Sequence, residues 1–183
     1  MPVLVGERVH IRPHRREELA KLVKLRNRGV NQWGWRRRFY SLEEIEAEFE
    51  RNGLIDPERH VVLAIVDKNT QDYLGAVEYF NINWFDATVS LSMYLLGEDR
   101  LGKGIGSEAT RLIVSHLMGD FPFVRIEAET TPDNQAARRV LEKNGFKLEG
   151  TKRMAAWAEG RWCDLCLYAL TRPDWERLRE GEE

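Results

Sequence analysis

The chain has 183 residues, 43% hydrophobic and 32% charged, with a formal net charge of -2. That is enough apolar material for a full single-domain core and too little net charge for a general attraction to nucleic acid, so any polyanion contact would need a local patch. Met1 to Arg8 carries no long apolar stretch after a basic start, and the longest apolar run, Val61 to Val66, is too short to span a bilayer, so a cytoplasmic protein without membrane contact is expected.

In chain order, a first strand is expected over Glu7 to Arg12, ended by Pro13, and then a helix whose narrow apolar side is Leu19, Leu22, Val23 and Arg26. Ser41 and Glu44 form a capping box: the hydroxyl takes a free amide and the carboxylate reaches back. With Leu42, Ile45 and Phe49 as its apolar face, that helix should run to about Arg51. Strands follow at Val61 to Val66, Tyr73 to Asn83 and Thr88 to Leu96, an antiparallel meander with a turn at Lys68 to Asp72. In the last of these, Val89, Leu91, Met93 and Leu95 share one face, and Thr88, Ser90, Ser92 and Tyr94 share the other.

Ile105, Ala109, Leu112, Ile113, His116 and Leu117 then repeat at helical spacing, and Val124 to Thr130 alternates as a strand. A further helix starts near Asp133 and Asn134, buries Ala137, Val140 and Leu141, and stops at Gly145. Strands at about Lys147 to Trp157 and Arg161 to Leu170 close the sheet. Cys163 and Cys166 have C-x-x-C spacing, but strand parity sends their sulfurs to opposite faces and no second pair completes a metal site. The expected fold is α/β (α+β): one domain over 1–183 with a core from about 6 to 175 and a polar tail over 176–183. Its mixed, mostly antiparallel sheet has about seven strands and about four flanking helices.

The chemistry is concentrated in Gly102-Lys103-Gly104-Ile105-Gly106-Ser107. Glycines just before a helix let main-chain amides approach an anion, and the helix start adds partial positive charge. Ser107 and Lys103 supply a hydroxyl donor and a point charge. The order is neither a Walker loop nor a dinucleotide fingerprint, and on spacing alone a glycine-rich turn is the other reading.

Gly102 to Ala109, followed by Asn134-Gln135-Ala136-Ala137-Arg138 and by Glu142-Lys143-Asn144-Gly145-Phe146 with Glu149-Gly150, resembles the GCN5-related N-acetyltransferases. Glu159 to Trp162 with Asp164, and Arg172-Pro173-Asp174-Trp175, are similar to the RimJ/RimL branch, whose members acetylate protein N-termini. The resemblance runs from about Gly6 to Trp175 and implies acetyl-CoA as co-substrate, no metal, and an amine as acceptor. It places the pyrophosphate on Leu101, Gly102, Lys103, Gly104, Ile105, Gly106 and Ser107. The pantetheine arm goes along the backbone of Tyr94, Leu95 and Leu96, with Asn134, Ala137 and Arg138 adding to that site.

The sequence departs from the family pattern in places. Leu101 stands where an Arg or Gln is usual, with Arg100 nearby, Leu141 where many relatives carry a tyrosine acid, and Ala137 where N-terminal acetylating relatives carry a serine. Protonation of the leaving thiolate is left to water, to Tyr94 or to the departing amine proton. Glu78, in a strand otherwise apolar at Leu74, Ala76 and Phe80, is the candidate general base, with a structural salt bridge as its other reading. Asp86, Glu127, Glu129 and Asp164 read as solvated or paired, and His60 and His116 as structural.

An α-amine of pKa about 7.7 to 8.0 is neutral roughly a tenth of the time at pH 7, whereas one near 10.4 is neutral about once in two to three thousand. A chain with no obvious base therefore favours a peptide N-terminus over a lysine or polyamine. The basic aromatic segment Trp33, Trp35, Arg37 and Tyr40, at the expected acceptor wall, would repel a polycation and suits an acidic peptide, a carboxylate or ribosomal RNA. Polyamine or aminoglycoside acetylation is the same-class alternative, and a catalytically silent coenzyme A sensor or RNA-binding module the other. A homodimer is a further expected partner.

Overall fold

The computed structural model describes residues 3–32, 39–97, 102–158 and 160–181. Its strands are β1 (Leu4–Val5), β2 (Val9–Pro13), β3 (Ile55–Asp56), β4 (His60–Asp67), β5 (Tyr73–Asn83), β6 (Thr88–Leu95), β7 (Arg125–Thr130), β8 (Lys147–Ala158) and β9 (Arg161–Thr171). The α-helices are α1 (Leu19–Gln32), α2 (Leu42–Asn52), α3 (Ile105–Asp120), α4 (Gln135–Lys143) and α5 (Arg172–Glu180). All the strands belong to one mixed sheet, ordered β1-β2-β4-β5-β6-β7-β9-β8, with β3 paired to β4 off that path. Among the described residues only β6 and β7 pair in parallel.

Among the described residues the sheet has nine strands where about seven were expected, because β1 and β3 are two residues each and too short to show alternation. Residues from Arg172 fold into α5, which buries Trp175 under the guanidinium of Arg179, 4.9 Å from the ring centroid, and leaves 176–181 exposed. Its apolar residues are too few to signal a helix, and Pro173 near the first turn and Trp175 do the anchoring.

Each face of the sheet has its own core. Val89, Leu91, Ile113, Leu117, Ile126 and Tyr168 pack under α3 and α4, while Leu19, Leu22, Ile45, Val62, Ala64 and Ala76 pack under α1 and α2. Leu74 breaks the expected parity of β5. A register shift pairs Ile65 with Gly75 but Val66 with Tyr73, so Leu74 is the extra residue of a bulge and joins the α3 side instead of sharing Glu78's face. Cys163 and Cys166 are free thiols; both are buried, and only Cys166 joins the α3-side cluster, as parity required.

Three local features follow the sequence signals closely. Ser41 Oγ accepts from Glu44 N at 3.1 Å, and Glu44 returns the bond, fixing the start of α2. Gly53, at φ 67°, closes that helix in the left-handed region. Gly145, at φ 81°, does the same after α4.

Candidate active site

The sheet opens where the parallel pair of β6 and β7 should continue. β6 and β7 pair over Thr88 to Ser90 and Arg125 to Glu127, and the remainder of each strand, Leu91 to Leu95 and Ala128 to Thr130, has no ladder partner across that gap. On their outer sides both strands stay paired, β6 to β5 as far as Leu95 and β7 to β9 as far as Thr130. The result is a wedge whose β6 wall offers main-chain groups to an extended ligand.

α3 begins at the mouth of this wedge. Gly104 is its N-cap in the left-handed region at φ 80°, with no side-chain cap, and Gly102 is also left-handed at φ 77°. The first amide satisfied within the helix is that of Glu108, 2.9 Å from Gly104 O, so the amides of Ile105, Gly106 and Ser107 point out of the helix start. Gly106 is the tight spot. A Cβ built there would lie 3.4 Å from Leu95 Cδ1, 3.5 Å from Val140 Cγ2 and 3.9 Å from the sulfur of Met93, so β6, α3 and α4 meet at this residue.

Several residues that the sequence did not single out hold the loop in place. The Glu108 carboxylate accepts from the amides of Glu7 and Arg8, which seats the β1–β2 turn on α3. Arg8 Nη1 then donates to Lys103 O at 3.1 Å, tying that turn to the glycine loop. Asn144, which follows α4, donates through Nδ2 to Ser107 Oγ at 3.2 Å and to Val140 O at 2.7 Å. Asn134 caps α4 by accepting from Ala137 N at 3.1 Å. Arg138 lies along α4, donating to Tyr168 Oη at 3.1 Å and to Pro132 O, and Tyr168 in turn donates to Glu142. Ala137 is half-buried on the first turn of α4, while Lys103 is exposed. Leu101 lies outside the described residues, as do Trp33, Trp35, Arg37 and Arg100.

On the opposite face of β6, Glu78 is 1% exposed and surrounded by donors. Arg26 Nη2 lies 2.8 Å from Oε2, His60 Nε2 lies 2.9 Å from the same oxygen, and Tyr94 Oη donates to Oε1 at 3.1 Å. Burial alone would weaken the Arg26 cation; the charge and hydrogen bond of Glu78 outweigh it and hold the guanidinium above its ordinary range. The Arg26 guanidinium also stacks over the Tyr40 ring, 4.9 Å from its centroid, and Tyr40 is fixed by two 2.9 Å bonds between its backbone and the Asn27 side chain. Glu78, Tyr94 and Tyr40 are therefore brought together, and Arg26 and His60 are the partners the sequence reading missed. The signal for Arg26 was present, since an arginine continuing the apolar stripe of Leu19, Leu22 and Val23 requires a buried counter-charge.

A cavity of about 530 Å³ opens beside this cluster, lined by Arg26, Tyr40 and His60 and by Glu44, Glu48 and Arg51 of α2. The other carboxylates noted in the sequence are paired. Glu127 and Glu149 bind Arg125, Glu129 binds Lys152, Asp164 accepts from Met154 N, and Asp86 accepts from Asn83. His116 pairs with Asp120. No group of metal-ligating side chains occurs among the described residues, and no helix among them is long and apolar enough to cross a membrane.

Comparison with known proteins identifies a family and a shared fold. The family described as Acetyltransferase (GNAT) domain matches residues 8–147. The chain is 36% identical over 104 residues to the probable N-acetyltransferase YjcK of Bacillus subtilis, covering 57% of this chain and 58% of that protein. It is 27% identical over 111 residues to the [ribosomal protein uS5]-alanine N-acetyltransferase of Escherichia coli, covering 61% of this chain and 57% of that protein. These alignments thus span less than two thirds of the relatives' lengths. Among solved structures, the spermidine N-acetyltransferase of Vibrio cholerae, in complex with CoA and spermine, superimposes with a TM-score of 0.82 at 17% identity, over 93% of this chain and 99% of that one, a likeness of fold.

Proposed function

We propose, from the premise that the chain belongs to the GNAT acetyltransferase family, that it transfers an acetyl group from acetyl-CoA to a primary amine, with a protein or peptide N-terminal α-amine as acceptor. The observation that carries the cofactor half is the wedge between β6 and β7 with the uncapped start of α3 at its mouth. The residues fit the group. Three outward amides and a positive helix end suit a diphosphate, and Gly106 leaves the surface beside Leu95 and Val140 free of a side chain. The unpaired edge of Leu91 to Leu95 suits an extended amide-bearing arm.

Bound there, acetyl-CoA supplies the acyl group as an activated thioester. The chain's own residues orient the reactants. The main-chain amides of Ile105, Gly106 and Ser107 grip the anion, and β6 lines up the arm. Tyr94 hangs from β6 toward the other face, so the acceptor approaches from the cavity beside Glu78. Holding both reactants in one site supplies much of the acceleration, and main-chain donors at the wedge meet charge that develops on the carbonyl oxygen.

One comparison supports an α-amine over a polycation: a relative of this chain is a ribosomal-protein alanine acetyltransferase. Thiol release should be measured across N-terminal peptides, polyamines and aminoglycosides. Turnover with peptides supports the reading; turnover only with polyamines or aminoglycosides replaces its acceptor, and acetyl-CoA binding without turnover on the full panel points to a coenzyme A sensor.

A further inference from the structure

His60 has the geometry of a proton acceptor held by a buried carboxylate. Its Nε2 lies 2.9 Å from Glu78 Oε2, and an ionised carboxylate only accepts, so the ring proton sits on Nε2 and Nδ1 carries the lone pair. Nδ1 has no hydrogen-bond partner among the described residues, and the side chain is 25% exposed on the wall of the 530 Å³ cavity. Glu78 itself cannot be reached in the same way: it is 1% exposed and already takes donors from Arg26, His60 and Tyr94. The charged groups near the ring are Arg26, Arg51, Arg59, Glu44, Glu48 and Asp56 of the cavity lining, with Glu78 at its Nε2.

We infer that His60 is the base that deprotonates the acceptor, with Glu78 as its positioning residue, an inference that rests on the acetyl-transfer reading above. The amine arrives as an ammonium ion. One proton passes from its nitrogen to His60 Nδ1 and leaves through the open cavity, and the freed lone pair forms the C–N bond. As the C–S bond breaks, the second proton on that nitrogen goes to the departing sulfur, so one amide and one thiol result. Tyr94 links this dyad to β6 through its bond to Glu78 Oε1, which places the dyad on the acceptor side of the strand that borders the wedge.

The test uses full-length wild type, His60→Gln and His60→Ala with the amine that turns over in the panel above. At pH 7, kcat/KM should fall by about 10² in both variants. For an α-amine, the deficit should shrink to within about threefold by pH 9, because the acceptor is then largely neutral without help. Added imidazole should restore His60→Ala at pH 7, and acetyl-CoA affinity by calorimetry should match wild type. Nitrogen NMR of the unliganded protein should show the neutral ring protonated on Nε2. A deficit unchanged from pH 7 to pH 9, no deficit at pH 7, or a ring protonated on Nδ1 overturns the assignment. Failure of wild type to bind acetyl-CoA would instead strike the acetyl-transfer reading and leave the NMR result to judge the dyad.

Discussion

The two sides of β6 are built from different materials. On the wedge side the groups proposed to face acetyl-CoA are main-chain amides and glycine positions contributed by one continuous segment, Gly102 to Ser107, at the start of α3. On the cavity side they are side chains from separate elements: Arg26 of α1, His60 of β4, Glu78 of β5 and Tyr94 of β6. A backbone site is cheap to make and hard to alter without changing the chain's path, whereas a buried ionic cluster depends on every partner being present.

That contrast is broken most severely by removing one member of the cluster. Arg26→Met removes a guanidinium 2.8 Å from the Glu78 carboxylate, at 1% exposure, and should cost about 3 to 5 kcal/mol in urea unfolding. A loss below about 1 kcal/mol would show that the remaining donors suffice and that the cluster is not interdependent.

The acid limb of stability comes next. Burial pushes the His14 imidazole down to about 4, with its nitrogens 3.3 Å from Val62 O and 3.2 Å from Tyr73 Oη. Above pH 6.5 the ring is neutral in both folded and unfolded chains, and stability is unaffected. As pH falls below 6.5 the unfolded chain takes up a proton that the folded chain refuses, so stability declines until about pH 4, by about 3 kcal/mol from this group. Denaturant unfolding across that window should show a flatter slope for His14→Gln, and identical slopes would contradict the assignment.

Gly106→Ala separates ligand binding from folding on the wedge side. Its Cβ meets only ordinary contacts at 3.4 Å or more, and alanine favours the helix, so the melting temperature should be unchanged or slightly raised. Acetyl-CoA affinity should fall by about tenfold or more, equivalent to about 1.4 kcal/mol, because the methyl fills space beside Leu95, whose strand edge is the proposed seat of the arm. The smallest effect is that of Ser41→Ala, which removes the cap of α2 and should cost about 1 kcal/mol by thermal or urea unfolding with little change at the wedge.

The same contrast explains what could be read from the residues. The glycine loop, the helix after it, the capping box at Ser41 and the faces of β6 were all legible, since each depends on neighbours within a few residues. The gap between β6 and β7 could be anticipated only through family resemblance, because alternation along a strand does not say where its partner departs. Leu74 was misplaced for a related reason: a bulge set by the pairing of Val66 with Tyr73 shifts the face without altering the local pattern. Glu78 was visible as a charge in an apolar strand, but its partners lie 52 residues away at Arg26 and 18 away at His60. Only the tertiary fold brings those groups onto one carboxylate.

The central claim is that main-chain amides at the start of α3 hold the diphosphate of acetyl-CoA while its arm lies in the open wedge. A crystal structure of the complex with coenzyme A tests it most directly. The account predicts phosphate oxygens within hydrogen-bond reach of the amides of Ile105, Gly106 and Ser107, with the pantetheine arm beside Leu91 to Leu95. Coenzyme A seated elsewhere, or a diphosphate held by side chains alone, would contradict it.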